Sequence, residues 1–555
     1  RATTPSISSA PDRAADLLPP ATANGGWEDS NYGRVTTGTA LALKGRLLLL
    51  WASPLFNRAN DQQRWQDAYT FMKEALPVIE GCGYGYEETT YETNAANWAR
   101  IFSPAGNKRS KEAVLVTLYN TINPGGVPDY ARNNAWESGI RPSNAQGGGG
   151  KTPSEMIISM FPMADGKRPS NSTYSKLSPS VYAYEQNAPF MNRDPRFYRT
   201  FAFPGVRWAF ANDPRNADNM YPYNGPDYVL WNYVWYASVE DRDNVESNTN
   251  FGPDGLMSNA KGIYVRKRSD DYDVNNSPLY EWSDDRHFGR SAAPWMELRY
   301  TEVKLNLAEA ACGAGHMDEA VEILKEIRRR VGYTGDCGLD ATLSSDQAAC
   351  MSAVLYERQI ELAFEGKRFD DMRRWMLFDG GQGQEDLKAS WKLTGWNGNT
   401  CTWLGYRAMN GQRRENMEFR VSNDYNDGLG GRDYPNGDSY VGDNNPDPLC
   451  GIAYGTDGTV NSGERAAAVM DLRQPVADQQ EALKAFYTKY LTYKKKKGDS
   501  YDSNHSELYF QYHPKYYFLG LAQGAMSQNP AVEQTIGWGD HNHGGANGTF
   551  DPLAE

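Results

Sequence analysis

"YTEVKLNLAEAACGAGHMDEAVEILKEIRRRVGY", from Tyr300 to Tyr333, sets the architecture of the chain. Val303, Leu307, Ala310 and Ala311 recur at helical spacing, Gly315 supplies a turn, and Ala320, Leu324 and Ile327 form a second stripe. The spacing predicts a helical hairpin, and Ala at its contacts lets the two helices pack as closely as they do in tetratricopeptide repeats. Such a unit cannot bury its apolar face alone, so further helices must stack on it. Two candidates lie upstream. "TALALKGRLLLLWASPLFN" places Ala40, Leu43, Leu47 and Leu50 on one predicted face and stops at Pro54. "DQQRWQDAYTFMKEALPVIEG" follows, with Trp65, Ala68, Met72 and Ala75 on its stripe and Gly81 as the expected cap. Downstream, "SAVLYERQIELAFEGKRFDDMRRW" reads as a further helix from Ser352.

Between these helices the composition changes. From Tyr119 to Pro294, and again from Gly380 to Gly463, the chain is rich in Gly, Asn, Pro, Asp and aromatics, with short strand-like pieces such as "GIYVRKR" at Gly262 to Arg268. Long ordered loops usually carry function. The expected fold is therefore mainly α: a tetratricopeptide-like helical repeat frame with long irregular loops and a few short strands. Its expected division is 1–118 and 298–379 for the frame, 119–297 for a loop-rich ligand-binding region, 380–463 for an insertion, and 464–555 for a C-terminal helix and tail.

Composition narrows the function. A net charge of -13 argues against a nucleic-acid partner, since such proteins draw their affinity from clustered Lys and Arg. The basic run "YKKKKGD" at Tyr493 to Asp499 is expected to end a helix, where cations complement the dipole. No apolar run approaches the ~18 residues of a membrane-spanning helix, and no secretory signal stands at Arg1. The six cysteines form no CxxC pair, so no structural zinc site or other cofactor is expected; Cys337 with Cys350, or Cys401 with Cys450, are possible disulfides. "DHNHGG" from Asp540 reads as a solvated tail. The Asp-rich "SDDYDVNNS" from Ser269 lacks the Gly and Glu of a calcium loop. Nucleophile elbow, zincin helix and phosphate loop are all missing.

Several segments, in order, resemble the SusD/RagB family of outer-membrane nutrient-binding lipoproteins of Bacteroidetes. They are "NYGRVTTGTALALKGRLLLLWASPLFN" (Asn31 to Asn57), "PSEMIISMFPMADGKR" (Pro153 to Arg168), "NRDPRFYRTFAFPG" (Asn192 to Gly205), "LRYTEVKLNLAEA" (Leu298 to Ala310), "YERQIELAFEGKRFDDMRRW" (Tyr356 to Trp375) and "NPAVEQTIGW" (Asn529 to Trp538). The resemblance implies non-catalytic capture of glycans at the cell-surface face of the outer membrane. It further implies delivery to a TonB-dependent (SusC-like) transporter and a lipid anchor that is absent from this chain. The family's amino-terminal portion is expected to be missing, because "RAADLLPPA" resembles the segment before the second repeat. "YFLGLAQG" from Tyr517 stands where the family more often has a Pro-containing stretch, which puts the local turn in question.

Two rival readings remain. A family member could capture peptides instead, and Glu357, Glu361 and Glu365, four residues apart, could supply the paired carboxylates of a glycosidase. Like charges at this spacing repel, however, and Arg358, Arg368, Arg373 and Arg374 are near enough in sequence to neutralise them, so a structural ion-pair network is expected. Asp194 before Pro195 is expected to shape a turn, with Arg196 in an ion pair. The positive signal is aromatic: 35 Tyr and 15 Trp exceed what the helices can bury. Indole and phenol rings stack on the apolar faces of sugars. The expected ligand-binding residues are Trp208, Trp231, Trp235, Tyr236 and Trp282, in the interval before the "AEA" helix where the family builds its site. For "YVLWNYVWYA", packing on a strand face remains an equal reading.

Overall fold

The computed structural model describes residues 4–20, 29–87, 95–102, 109–142, 147–172, 174, 176–208, 229–236, 240, 243–244, 250–251, 262–269, 280–282, 288–378, 415–422, 468–497 and 514–554. Helices dominate them. In chain order, α1 is Thr4–Leu17, α2 Thr37–Ala52, α3 Gln62–Gly81, α4 Ala96–Arg100, α5 Trp136–Ile140, α6 Glu155–Met160 and α7 Pro195–Thr200. After the loop-rich interval come α8 (Tyr300–Gly313), α9 (Met317–Arg329), α10 (Gln347–Glu361), α11 (Lys367–Arg374), α12 (Gln480–Tyr490) and α13 (Gln523–Gln528).

The frame forms, with the α3, α8 and α9 stripes packed as predicted. α2 packs on α3, α3 on α8, and α8 on α9 and α10. Trp65, Ala68, Met72 and Ala75 are buried along α3, and the predicted α8 and α9 positions are all buried. Gly315 turns the hairpin with φ +91, a left-handed value that favours glycine. α2 begins at a capping box between Thr36 and Thr39.

The structure corrects several local expectations. On α2 the packed face is Gly38, Ala42, Gly45, Leu49 and Ala52 beside Ala40, whereas Leu43 is exposed. Small residues face α3 because close approach outweighs side-chain size there; a Cβ on Gly45 would already stand 3.2 Å from Met72 Cγ. On α3, Gly81 lies inside the helix and the left-handed residue is Gly83, with φ +89. The predicted helix from Ser352 is two helices, α10 and α11, broken where Phe364 and Gly366 take φ of 59 and 80.

The basic run is not a helix end. It is the strand β12 (Leu491–Lys497), paired antiparallel with β11 (Glu415–Val421) inside the expected 380–463 insertion. Lys495 meets Glu415 at 2.6 Å, so the cross-strand partner, unreadable from local spacing, decided the conformation. Other strands are brief: β1 (Ala113–Thr117), β2 (Phe201–Ala202), β3 (Val206–Arg207), β4 (Val229–Leu230), β5 (Trp235–Tyr236), β6 (Asn250–Phe251), β7 (Tyr264–Val265), β8 (Tyr280–Trp282), β9 (Phe288–Ser291), β10 (Trp295–Arg299), β13 (Gly539–Asp540) and β14 (Ala546–Asn547). Among the described residues every sheet is a two-stranded antiparallel ribbon, β1 pairing with β10 and β2 with β7.

One hydrophobic core runs from Trp65 and Trp375 of the frame to Trp208, Trp231 and Val234 of the loop-rich interval. Cys82, Cys312, Cys337 and Cys350 are free thiols, so Cys337 and Cys350 are not bonded; Cys401 and Cys450 fall outside the described residues, as does the Asp-rich segment after Ser269. In the tail, Trp538 packs over Gly520 and donates its indole N–H to Phe518 O at 2.8 Å, which fixes the turn after Tyr517. Among the described residues, no helix is long and apolar enough to cross a membrane.

Candidate functional site

The carboxylates of α10 lie at the centre of a buried ion-pair network. Arg196 reaches Glu357 at 2.5 Å and Glu361 at 2.9 Å. Arg299 reaches Glu361 at 3.0 Å and Glu365 at 2.7 Å, and Lys267 meets Glu365 at 2.7 Å. Arg328 pairs with Glu357 at 2.7 Å. Trp98 adds its indole N–H to Glu361 at 2.9 Å. Burial pushes Glu361 and Glu365 up, but the facing cations, Arg299 foremost, outweigh it and hold both at about 2. A glycosidase acid needs a raised value and access to substrate. These side chains are ionised, committed and buried.

The network was expected, but most of its cations come from elsewhere. Arg358 and Arg374 instead pair with Asp371 at 3.0 and 2.7 Å, Arg373 is 4.0 Å from Asp370, and Arg368 donates to Gln359. Glu365 lies beyond the end of α10, in the left-handed turn, and joins through the fold rather than through a shared helix face. Asp194 caps α7 by accepting from Arg196 N at 2.8 Å and pairs with the same arginine's guanidinium at 2.8 Å, as the Asp-Pro step predicts.

The expected stacking rings divide. Trp208 and Trp231 are 0% and 1% exposed, within the core. Trp231 packs against Tyr233 and Phe486 at 6.0 and 5.3 Å. Neither ring offers a free face to a sugar, so burial assigns both to packing and corrects their place in the expected site. Trp235 and Tyr236 pair with Phe251 and Asn250 in the β5–β6 ribbon, and Trp282 with Phe288 in the β8–β9 ribbon; their side chains lie outside the described residues.

A different group of residues converges on the surface. Trp136, at the start of α5, and Trp295, at the start of β10, are half-buried and meet edge to face at 5.4 Å. Asn134 fixes Trp136: its side chain accepts from Trp136 N at 2.9 Å and donates to Ala293 O at 2.7 Å, while the Trp136 indole donates to Lys267 O at 2.9 Å. Arg268 lies over the Trp295 ring at 3.4 Å, with Phe102 at 5.2 Å and Trp136 at 5.8 Å. Its backbone takes φ 68, a value uncommon away from glycine. Burial lowers Arg268 to about 10, with Glu365 opposing.

Two recesses open beside this arginine. One, with a volume of about 10 Å³, is lined by Phe102, Asn134, Trp136, Glu137, Arg268 and Pro294, among others. The second, also about 10 Å³, is lined by Trp98, Phe102, Arg199, Arg266, Arg268 and Ser269, among others; each is a shallow notch with room for about one water. Trp208 supports them from beneath: its indole donates to Ser269 Oγ at 3.0 Å, and Ser269 donates to Glu137 at 2.8 Å. Spacing gives no hint of this assembly, because residues 98–102, 134–137, 266–269 and 291–295 meet only in the fold. The sole sequence signal was that Trp295 stands three residues before Leu298, the start of the "LRYTEVKLNLAEA" motif. Among the described residues, no group of His, Cys, Asp and Glu is arranged to hold a metal ion.

Comparison with known proteins places the chain. Among solved structures, it is similar to a SusD-like protein from Bacteroides fragilis NCTC 9343, at 24% identity over 67% of this chain and 59% of that one, TM-score 0.46. A SusD-like carbohydrate binding protein from the same strain matches at 17% identity over 72% and 67% of the two chains, TM-score 0.42. Surface glycan-binding protein A from Bacteroides uniformis matches at 17% identity over 73% and 61%, TM-score 0.36. The chain thus spans less than two thirds of the length of some of these relatives. Among curated proteins none matches. The model of the SusD family matches residues 111–538, most of the chain, and on that match the chain belongs to the SusD family.

Proposed function

We propose that the chain captures glycans without cleaving them, at the cell-surface face of the outer membrane, and delivers them to a TonB-dependent transporter. The family is a cell-surface nutrient-binding one, which supports the setting. The observation that carries the glycan reading is the half-buried indole pair Trp136 and Trp295, held rigidly beside a guanidinium at the mouth of a recess. Fixed aromatic faces suit the apolar C–H faces of sugars, and nearby donors suit their hydroxyls. Residues 119–297, with Trp235, Tyr236 and Trp282, are proposed as the wider ligand-binding region. The helical frame is the rigid surface proposed for the transporter, since obligate interfaces commonly exceed ~2,000 Å².

A glycan array on the purified chain tests capture. Trp295→Ala should weaken binding of the best glycan by about 1–3 kcal/mol, as truncated hot-spot aromatics do. Unchanged affinity in both Trp295→Ala and Trp136→Ala would remove this recess from the site. Pull-down from outer membranes should recover a TonB-dependent transporter, and its absence would count against delivery.

A further inference from the structure

We propose that the Arg268 recess binds an anionic group carried by the captured glycan, a uronate carboxylate or a sulfate ester, so that the ligand class is acidic polysaccharide. This rests on the glycan reading above and narrows it.

Arg268 differs from most of the other buried guanidiniums: Arg193, likewise without a carboxylate in ion-pair range among the described residues, donates to the Pro189, Ile158 and Phe161 carbonyls. Arg196, Arg299, Arg328, Arg358 and Arg374 each meet a carboxylate within 3.0 Å. Arg268 is only 8% exposed, yet among the described residues it has no carboxylate in ion-pair range, and its Nη1 has no hydrogen-bond partner. A buried charge normally demands a partner. Among the described residues, the acids near it are already committed: Glu365 to Arg299 and Lys267, Glu137 to Arg141 at 2.5 Å, and Glu297 to the Thr117 hydroxyl at 3.1 Å.

The cation is held instead by the Trp295 ring against its face. Stacking of that kind leaves the edge of a guanidinium, where its donors lie, free to take an oxyanion bidentately. Among the described residues, Arg199 and Arg266 line the second recess with Arg268 and no carboxylate does. The left-handed backbone at Arg268 is a strained setting of the kind that clusters at ligand clamps. An indole pair beside the cation favours an acidic sugar over an acidic peptide.

The test uses the purified full chain on an array of neutral, uronate-bearing and sulfated oligosaccharides, with acidic peptides alongside. The strongest hit is then titrated calorimetrically against wild type, Arg268→Gln and Arg268→Lys at low and high salt. Acidic glycans should dominate the hits, and affinity should fall as salt rises. Arg268→Gln should bind about tenfold or more weakly, and Arg268→Lys should recover part of the loss. Carboxyl-reduced and desulfated forms of the same oligosaccharide tell uronate from sulfate. Hits confined to neutral glycans, or an acidic hit that Arg268→Gln binds normally, overturn the proposal and leave glycan capture standing. Binding to peptides alone, or to no glycan, overturns glycan capture and this proposal with it. Should thermal melts show Arg268→Gln unfolded, the wild-type preference between each acidic oligosaccharide and its neutralised form, with its salt dependence, decides the matter.

Discussion

Trp231 sits against Phe486 and Tyr233 with 1% of its surface exposed, so removing its ring leaves a cavity that the surrounding core can only partly close. Trp231→Ala should cost about 3–5 kcal/mol of folding free energy, read by urea denaturation. A loss under about 1 kcal/mol would mean that the ring is not packed as described. Trp208 carries a second duty, because its indole N–H holds Ser269 and through it Glu137 beneath the recess. Glu361 stands at the other extreme of chemistry. Its carboxylate faces Arg196 and Arg299, and neutralising it removes a charge that both share in a dry interior, leaving Arg196 to Asp194 and Glu357 and Arg299 to Glu112 and Glu365. Glu361→Gln should destabilise by about 3–5 kcal/mol, the usual cost of removing one partner from a buried pair. An unchanged melting temperature would show that the network contributes nothing.

At the scale of elements, the frame depends on small residues where helices cross. Gly313 ends α8 directly against Trp65 of α3, and a Cβ there would lie 2.1 Å from the indole. Alanine is the better helix former by about 1 kcal/mol, so propensity alone would favour Gly313→Ala. Overpacking a rigid ring costs about 1–3 kcal/mol or more, and the crossing should win. The variant should unfold at lower urea than wild type; a stabilised variant would show that α3 and α8 can slide apart freely. The turn between α10 and α11 follows the same logic of position over propensity. Left-handed Phe364 and Gly366 bring Glu365 back under Arg299 and Lys267, a convergence that an unbroken helix would not produce.

For the whole molecule, the network gives stability a pH dependence of definite sign. Glu361, Glu365 and Asp371 are held at about 2 in the folded chain, below their ordinary values of 4.5, 4.5 and 3.8, so their contribution is present above those ordinary values. It is lost as pH falls from about 4.5 towards 2. A two-unit shift corresponds to about 3 kcal/mol for one group. Glu361 and Glu365 share Arg299, so their losses should be less than additive. Lys267 acts in the opposite range: burial lowers it from 10.5 to about 8 against the pull of Glu365, so the unfolded chain binds more protons between those values and stability gains there as pH rises. Melting temperatures should be flat from about pH 5 to 7 and drop steeply below about pH 4.5. A flat profile down to about pH 3 would contradict the ionised, paired state of these carboxylates.

The helices, the Gly315 turn, the Asp194 cap and the ion-paired fate of the α10 carboxylates could be read directly from the chain. The helices, the turn and the cap depend on side chains a few residues apart, where spacing fixes geometry, whereas the cations that pair with Glu357, Glu361 and Glu365 come from distant segments. The order of the family segments likewise carried the assignment to the SusD family. The tertiary structure alone decided which aromatics are core and which are surface. Trp208 and Trp231 have the same loop-like sequence setting as Trp136 and Trp295, yet the first two are buried and the others line or flank a recess. It also turned the lysine run into a strand, because Glu415 and Glu418 come from a segment far away in sequence. Arg268 shows the reason most plainly. Nothing in "GIYVRKR" separates it from its neighbours Arg266 and Lys267, and its lack of an ion-pair partner among the described residues is a property of contacts between segments that local spacing does not encode.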